Sequence, residues 1–154
     1  MEPIGGSLRT VADAEVRLVA HDRLKFIVEA IDRLPHSEDF LARLTVHLGE
    51  MLERALELHS TVSQANSDFD YSVIDRPSIQ PHDQNHNFRE WAVMFDLLWR
   101  AWRQVDASSG VESRALVQHW RQRTFLAFRR LVIAAMTVSP NFTTAEKIEV
   151  LLDA

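Results

Sequence analysis

The sequence predicts an all-α fold, a helical bundle or helical-repeat-like array of about five to six helices with one long ordered loop. Only 4 Gly and 5 Pro interrupt the 154 residues, which favours long helices over many short strands. Apolar residues also recur at helical spacing over most of the chain, and such residues share one helix face. We expect a single α-helical domain over 1–154, made of a helical hairpin (11–59), an arm (60–87) and helices within 88–153.

The hairpin begins with a helix over about 11–34, which Pro35 stops. Ser37 is expected to cap the second helix. Gly49 lies inside that helix, and it indicates a close approach of another helix because glycine is otherwise unfavourable there. Apolar residues of the second helix follow a 3-4-3-4 rhythm that predicts packing along one seam: Leu41, Leu44, Leu48, Met51, Ala55 and Leu58.

The arm, 60–87, is polar and rich in turn-forming residues. Long connections without structure are uncommon inside a compact domain. We therefore expect the arm to be partly ordered and to pack through four apolar anchors: Phe69, Tyr71, Ile74 and Ile79.

A tryptophan-bearing helix follows over about 88–105, after a capping pattern from Asn87 to Glu90. Its apolar arc covers well over half the circumference, so the helix is covered on two sides. It therefore either forms the centre of the bundle or has a partner on one side.

Three more helices are predicted after it. The same capping pattern occurs from Ser109 to Glu112 and from Thr143 to Glu146. The predicted spans are about 111–121, about 124–138 (buried, and ended by Pro140), and a short last helix. That last helix is still apolar where the chain stops, which is typical of a piece cut from a longer protein, although a short docked helix has the same pattern.

The composition excludes several classes of site. The chain contains no Cys, which excludes disulfides, thiolate metal sites and a Cys nucleophile. The N-terminus lacks the pattern of a secretory signal, and the longest apolar run, 131–136, is far shorter than the roughly 20 residues of a membrane span. We expect a cytoplasmic protein without membrane contact.

The stretch PHDQNHNF (81–88) is similar to the zinc motif H-E-x-x-H, with His82 and His86 four residues apart. Pro81 and the neighbouring asparagines place the pair at the start of a helix instead of on one helical turn. The favoured interpretation is a structural junction, formed by Arg76, His82, Gln84 and Asn85. A metal-dependent hydrolase that uses His82 and His86 remains the alternative.

Residues 96–130 are locally basic, with seven Arg against three acidic residues, a net charge of +4. This pattern leaves two interpretations open: an Arg-mediated nucleic-acid surface, or an interface with the acidic first half or a neighbouring domain. The predicted partner-binding residues are Trp99, Arg100, Arg103, Arg121 and Arg123. Trp99 is included because it lies toward the edge of the apolar arc.

Two stretches resemble segments of known proteins. YSVIDRPSIQPHDQN (71–85), followed by the tryptophan helix, and FRRLVIAAM (128–136) resemble the helical portions of very large bacterial proteins, several of them in anti-phage defence, that couple an effector or NTPase module to long helical regions. The resemblance covers 71–136. It implies an all-α scaffold or sensing segment and no catalytic residue.

The leading hypothesis is a non-catalytic α-helical interaction or scaffold domain without a cofactor. Its expected partner is another protein, a neighbouring domain of a larger chain, or a second copy of itself. The metal-dependent hydrolase and the nucleic-acid binder are the alternatives.

Overall fold

The computed structural model describes residues 21–62, 65–83, 85 and 92–152. These residues form seven packed helices and no strand, which confirms the predicted all-α fold class. The helices are α1 (His21–Asp32), α2 (Ser37–Thr61), α3 (Ser72–Asp75), α4 (Ala92–Ser108), α5 (Gly110–Arg121), α6 (Leu126–Val138) and α7 (Thr144–Leu152). The number exceeds the prediction because the arm contains the one-turn helix α3.

A tight turn joins α1 to α2. The helix α1 ends at Asp32, shortly before Pro35, while the predicted part over 11–20 lies outside the described residues. The prediction that Ser37 caps α2 is wrong, because Ser37 is already the first helical residue. His36 precedes it in the left-handed region with φ 60°, and its side chain makes no cap hydrogen bond. A capping residue needs an extended backbone for its side chain to reach the N–H groups of the first turn, and the backbone of His36 is not extended.

The centre of the fold is the packing of α2 against α4, the most extensive helix pair in the described part of the chain. The apolar face of α2 supplies buried Leu41, Leu48, Leu52 and Leu56. Gly49 is also buried, and a Cβ atom there would lie 3.6 Å from Trp120 Nε1. That distance is an ordinary contact, so the close approach predicted at Gly49 leaves room for a methyl group.

Three tryptophans stack through the core. The ring centroids of Trp99 and Trp102 lie 4.9 Å apart, and those of Trp102 and Trp120 lie 6.3 Å apart. All three are buried. Indoles bury more apolar surface than any other side chain, and these join α4 to α5 in one core.

The predicted caps of α5 and α7 are confirmed. Ser109 Oγ accepts a 3.3 Å hydrogen bond from the Glu112 N–H. At α7, Thr143 Oγ1 accepts from the Glu146 N–H at 3.3 Å, and the Glu146 carboxylate accepts from the Thr143 N–H at 2.8 Å. This reciprocal pair satisfies two backbone donors that the helix itself leaves free.

A cluster around Asp106 joins the end of α4 to α5 and to the segment after α6. The Asp106 carboxylate accepts hydrogen bonds from Ser113 Oγ (2.6 Å), Ser139 Oγ (2.7 Å) and Asn141 Nδ2 (2.9 Å). Burial alone would raise the pKa of Asp106, but these hydrogen bonds outweigh it and hold the pKa below its ordinary value.

The described part of the arm is folded against the helices, but only some of its predicted anchors hold it. Ile79 is buried and Tyr71 is half-buried against the core, whereas Phe69 and Ile74 are 41% and 60% exposed. The prediction that Phe69 and Ile74 anchor the arm is therefore wrong, because buried polar side chains fix this segment instead.

None of the described helices is both long enough and apolar enough to cross a membrane.

Candidate functional site

A row of apolar side chains remains at the surface of α2. Phe40, Met51 and Leu58 are 42%, 46% and 49% exposed, and Leu44 is half-buried at the edge of the core. At 3.6 residues per turn these four positions fall within about 40° of the helix circumference. We call them the α2 stripe.

The stripe is one half of the seam that the 3-4-3-4 rhythm predicts. Leu41, Leu48 and Ala55 are buried, whereas Leu44, Met51 and Leu58 repeat every seven residues along the boundary with solvent. A strict seven-residue repeat drifts by only about 20° per heptad around the helix, so it produces a narrow apolar strip, which is the geometry that packs against a second helix.

Charged residues of both signs lie beside the stripe on the outer face of α2. In chain order they are Arg43, Glu50, Arg54 and Glu57, all exposed. The order of charges is plus, minus, plus, minus. Such a rim favours particular orientations of a bound helix, because like charges placed opposite each other are unfavourable.

Trp99 does not belong to an exposed surface. It is only 6% exposed and packs against Trp102 in the core. This burial corrects the prediction that Trp99 contacts a partner. The wide apolar arc of α4 is covered within the chain itself, so its edge is not an outer surface.

Three of the four predicted partner-binding arginines pair with carboxylates of this chain. Arg100 contacts Asp32 at 2.8 Å and Glu38 at 2.7 Å, and Arg123 pairs with Glu53. These contacts join the basic region to α1 and α2. Elsewhere Arg121 lies 3.6 Å from Glu149, and Arg103 is exposed on α4.

The double contact of Arg100 affects its protonation. Burial alone would lower the pKa of Arg100, but hydrogen bonds and charge attraction from Glu38 and Asp32 outweigh it and raise the pKa. Arg100 therefore stays charged and holds the turn between α1 and α2 against α4. It is a structural cation as well as a candidate partner contact.

The predicted junction residues divide into two groups. Arg76 is 5% exposed and pairs with Asp96 of α4, and burial raises the pKa of Asp96 while Arg76 and Arg100 lower it. Asn85, also 5% exposed, accepts from the Ser78 N–H at 3.2 Å and donates to the Gln80 carbonyl at 2.9 Å. These two residues fix the arm.

The other two predicted junction residues are His82 and Gln84. His82 is exposed, and its backbone carbonyl accepts from the Asn85 N–H at 3.0 Å. Gln84 and His86 lie outside the described residues. Within the described ranges, no three His, Asp or Glu side chains are grouped to hold a metal ion.

A buried polar network between the arm and α6 is absent from the sequence-based predictions. Asp70, fully buried, accepts hydrogen bonds from the Ala127 N–H (2.7 Å) and from both the N–H (2.9 Å) and the hydroxyl of Ser72. Arg130 donates to Ser72 Oγ at 2.7 Å and to the Arg76 and Pro77 carbonyls. Burial lowers the pKa of Arg130, and Asp70 opposes that effect. Two features of the sequence could have indicated this network: the aspartate Asp70 at a turn, and the arginine Arg130 within an otherwise apolar helix.

A concave site lies where α5, α6, α7 and the arm meet. It is a cavity of about 340 Å³. Three arginines, two hydroxyl side chains and an apolar group line it: Arg121, Arg123, Arg129, Ser67, Thr124, Trp120, Val132 and Val150. We call it the arginine pocket.

Comparison of the chain with protein-family models, with curated proteins and with solved structures finds no match.

Proposed function

We propose that this protein is a non-catalytic α-helical interaction domain that binds an apolar helix along the α2 stripe. The single observation that carries the proposal is the seven-residue repeat of Leu44, Met51 and Leu58 at the surface. A helix that meets only its own core needs apolar residues on the buried row alone.

The energy available at the stripe suits a reversible contact. Burying the exposed half of one of these side chains contributes roughly 1 kcal/mol. Two copies of a four-residue stripe would then supply roughly 8 kcal/mol, of which association itself consumes about half or more. At most about 4 kcal/mol then remains, which corresponds to a dissociation constant on the order of 1 mM.

The partner that the rim supports best is a second copy of this chain. In an antiparallel pair of α2 helices, Glu50 of each copy lies opposite Arg54 of the other. In a parallel pair, the two charged rims would lie on opposite sides of the interface, so Glu50 and Arg54 would have no oppositely charged partner from these rims. We therefore propose antiparallel pairing of the two stripes.

In a longer protein of the defence type that 71–136 resembles, such pairing would bring two attached modules together. The domain would then act as a scaffold whose partner is its own copy. This setting remains a proposal that depends on the pairing.

Sedimentation velocity over concentrations up to about 2 mM tests the pairing, because this range exceeds the expected dissociation constant. The double variant Met51→Lys/Leu58→Lys places two charges on the stripe. The control Val46→Lys changes an apolar residue of the same helix that is 55% exposed and lies off the stripe. Circular dichroism verifies that each variant is folded.

We expect wild type and Val46→Lys to dimerise with similar dissociation constants, and the double variant to stay monomeric. A wild-type protein that is monomeric throughout the range would overturn the proposal. Equal dimerisation of all three proteins would overturn it as well.

A further inference from the structure

We infer that the arginine pocket binds the phosphate group of a small phosphate monoester. This site is separate from the α2 stripe and does not depend on the proposed pairing. Arg121, Arg123 and Arg129 line one cavity together with the hydroxyl side chains of Ser67 and Thr124. Planar guanidinium groups donate paired hydrogen bonds that match phosphate oxygens, and this geometry is why arginine predominates in phosphate recognition.

Arg123, one of the three arginines of the pocket, already has partners within the chain. Arg123 pairs with Glu53 and donates to His119 Nε2 at 2.7 Å. Because a guanidinium only donates, the histidine nitrogen is the acceptor in this contact. Arg123 is therefore held in place. It would act on a bound anion mainly through its positive charge, because Glu53 and His119 already accept its hydrogen bonds.

Arg121 makes a long ionic contact with Glu149. A carboxylate oxygen of Glu149 lies 3.6 Å from the Arg121 guanidinium, and the Glu149 side chain is 64% exposed. An exposed pair at this distance contributes little to stability. A phosphate with two negative charges is expected to replace Glu149 as the partner of Arg121.

The floor of the pocket indicates the rest of the ligand. Trp120, Val132 and Val150 are buried beneath the charged groups. A volume of about 340 Å³ is at the lower end of the range for small-molecule sites. A phosphate joined to a small apolar group fits this division into a cationic rim and an apolar floor.

A neighbouring cavity is a weaker candidate. It measures about 360 Å³ and includes Arg114, Phe142 and Glu146 in its lining. Arg114 there already binds Glu146 and the Asn141 carbonyl. The guanidinium of Arg114 is thus already bound to groups of this chain.

Isothermal titration calorimetry with phenyl phosphate, phenyl sulfate and inorganic phosphate, each up to about 10 mM, tests the inference at low ionic strength, where charge attraction is least screened. We expect phenyl phosphate to bind most tightly. Phenyl sulfate should bind more weakly because it carries one charge less, and inorganic phosphate because it lacks the ring. Equal affinity for inorganic and phenyl phosphate would support the site with free phosphate as its ligand.

Three variants locate the binding. Arg129→Gln and Arg121→Gln should each weaken phenyl phosphate binding by roughly tenfold, the effect of losing one charge-assisted hydrogen bond. Glu149→Gln should strengthen it severalfold, because the competing carboxylate is removed. Arg103→Gln is the control, since Arg103 is exposed on α4 outside the pocket.

The absence of saturable binding of any of the three anions would overturn the inference. Equal weakening by Arg103→Gln and Arg129→Gln would also overturn it, because the effect would then reflect net charge alone. Failure here leaves the pairing through α2 unaffected, since none of these variants touches the stripe.

Discussion

The carboxylate of Asp70 accepts a 2.7 Å hydrogen bond from the backbone N–H of Ala127, across 57 positions of the chain. Ala127 lies in the first turn of α6, where backbone N–H groups have no partner within the helix. Asp70 therefore satisfies the start of α6 from the arm, and the same carboxylate also binds Ser72. The arm is a structural part of the helix packing.

Replacing Asp70 by Asn should lower the free energy of unfolding by about 2–4 kcal/mol, because an amide loses the charge that stabilises buried donors and leaves Arg130 less compensated. Urea denaturation measures the change. Asp68→Asn is the matched control, since Asp68 is an exposed carboxylate of the same segment, and it should change stability by less than about 0.5 kcal/mol. Equal effects of the two variants would show that Asp70 is not an anchor.

Replacing Gly49 by Ala should raise the free energy of unfolding by about 0.5–1 kcal/mol, because alanine favours the helix. The added Cβ would meet Trp120 Nε1 at 3.6 Å, an ordinary contact. Thermal denaturation followed by circular dichroism at the helical signal measures the shift. A lower melting temperature would mean that α2 and α5 approach more closely than this distance allows.

Stability should depend on pH through Asp106. Its pKa in the folded protein lies below its ordinary value of 3.8, so the unfolded chain binds a proton more readily than the folded one. The contribution of the charged group is then complete above about pH 4 to 5 and is lost as the pH falls through the folded pKa.

The variant Asp106→Asn isolates this effect. It should be less stable than wild type by about 1 kcal/mol at neutral pH, since neutral hydrogen bonds replace charge-assisted ones. That difference should shrink as the pH falls below 4. Asp83→Asn, a change at an exposed residue, serves as the control, and its stability relative to wild type should not change with pH in this way. A stability difference between Asp106→Asn and wild type that stays constant down to pH 2 would contradict the role given to Asp106.

Local patterns in the sequence predicted the elements that depend on neighbours in the chain. The caps at Ser109 and Thr143 require only residues three positions apart, and helical periodicity required only the order of apolar residues. The prediction of a cap at Ser37 failed because His36 takes a left-handed conformation and occupies the cap position. The choice between these two adjacent positions depends on the conformation of the turn after Pro35.

Contacts between distant segments could not be predicted in the same way. Trp99 looked like an edge residue of its own helix, but other segments of the chain cover that edge. Asp70 and Arg130 bind the same Ser72 hydroxyl although 58 positions separate Arg130 from Ser72, and nothing local to either residue indicates the other. The arginine pocket likewise joins four segments of the chain.

The most direct test of the central claim is disulfide cross-linking of introduced cysteines. The chain has no Cys of its own, so every cross-link reports the engineered positions. A disulfide requires Cα atoms within about 7 Å. Met51→Cys lies near the centre of the proposed antiparallel pair, and mixing Leu44→Cys chains with Leu58→Cys chains distinguishes antiparallel from parallel pairing.

Under mild oxidation near 1 mM protein, a concentration at which dimers are expected, Met51→Cys chains should form covalent dimers, and so should the mixture of Leu44→Cys with Leu58→Cys. Leu44→Cys alone and Val46→Cys should remain largely monomeric. Efficient cross-linking of Leu44→Cys to itself would contradict the antiparallel arrangement. No more cross-linking of Met51→Cys than of Val46→Cys would contradict docking at the α2 stripe.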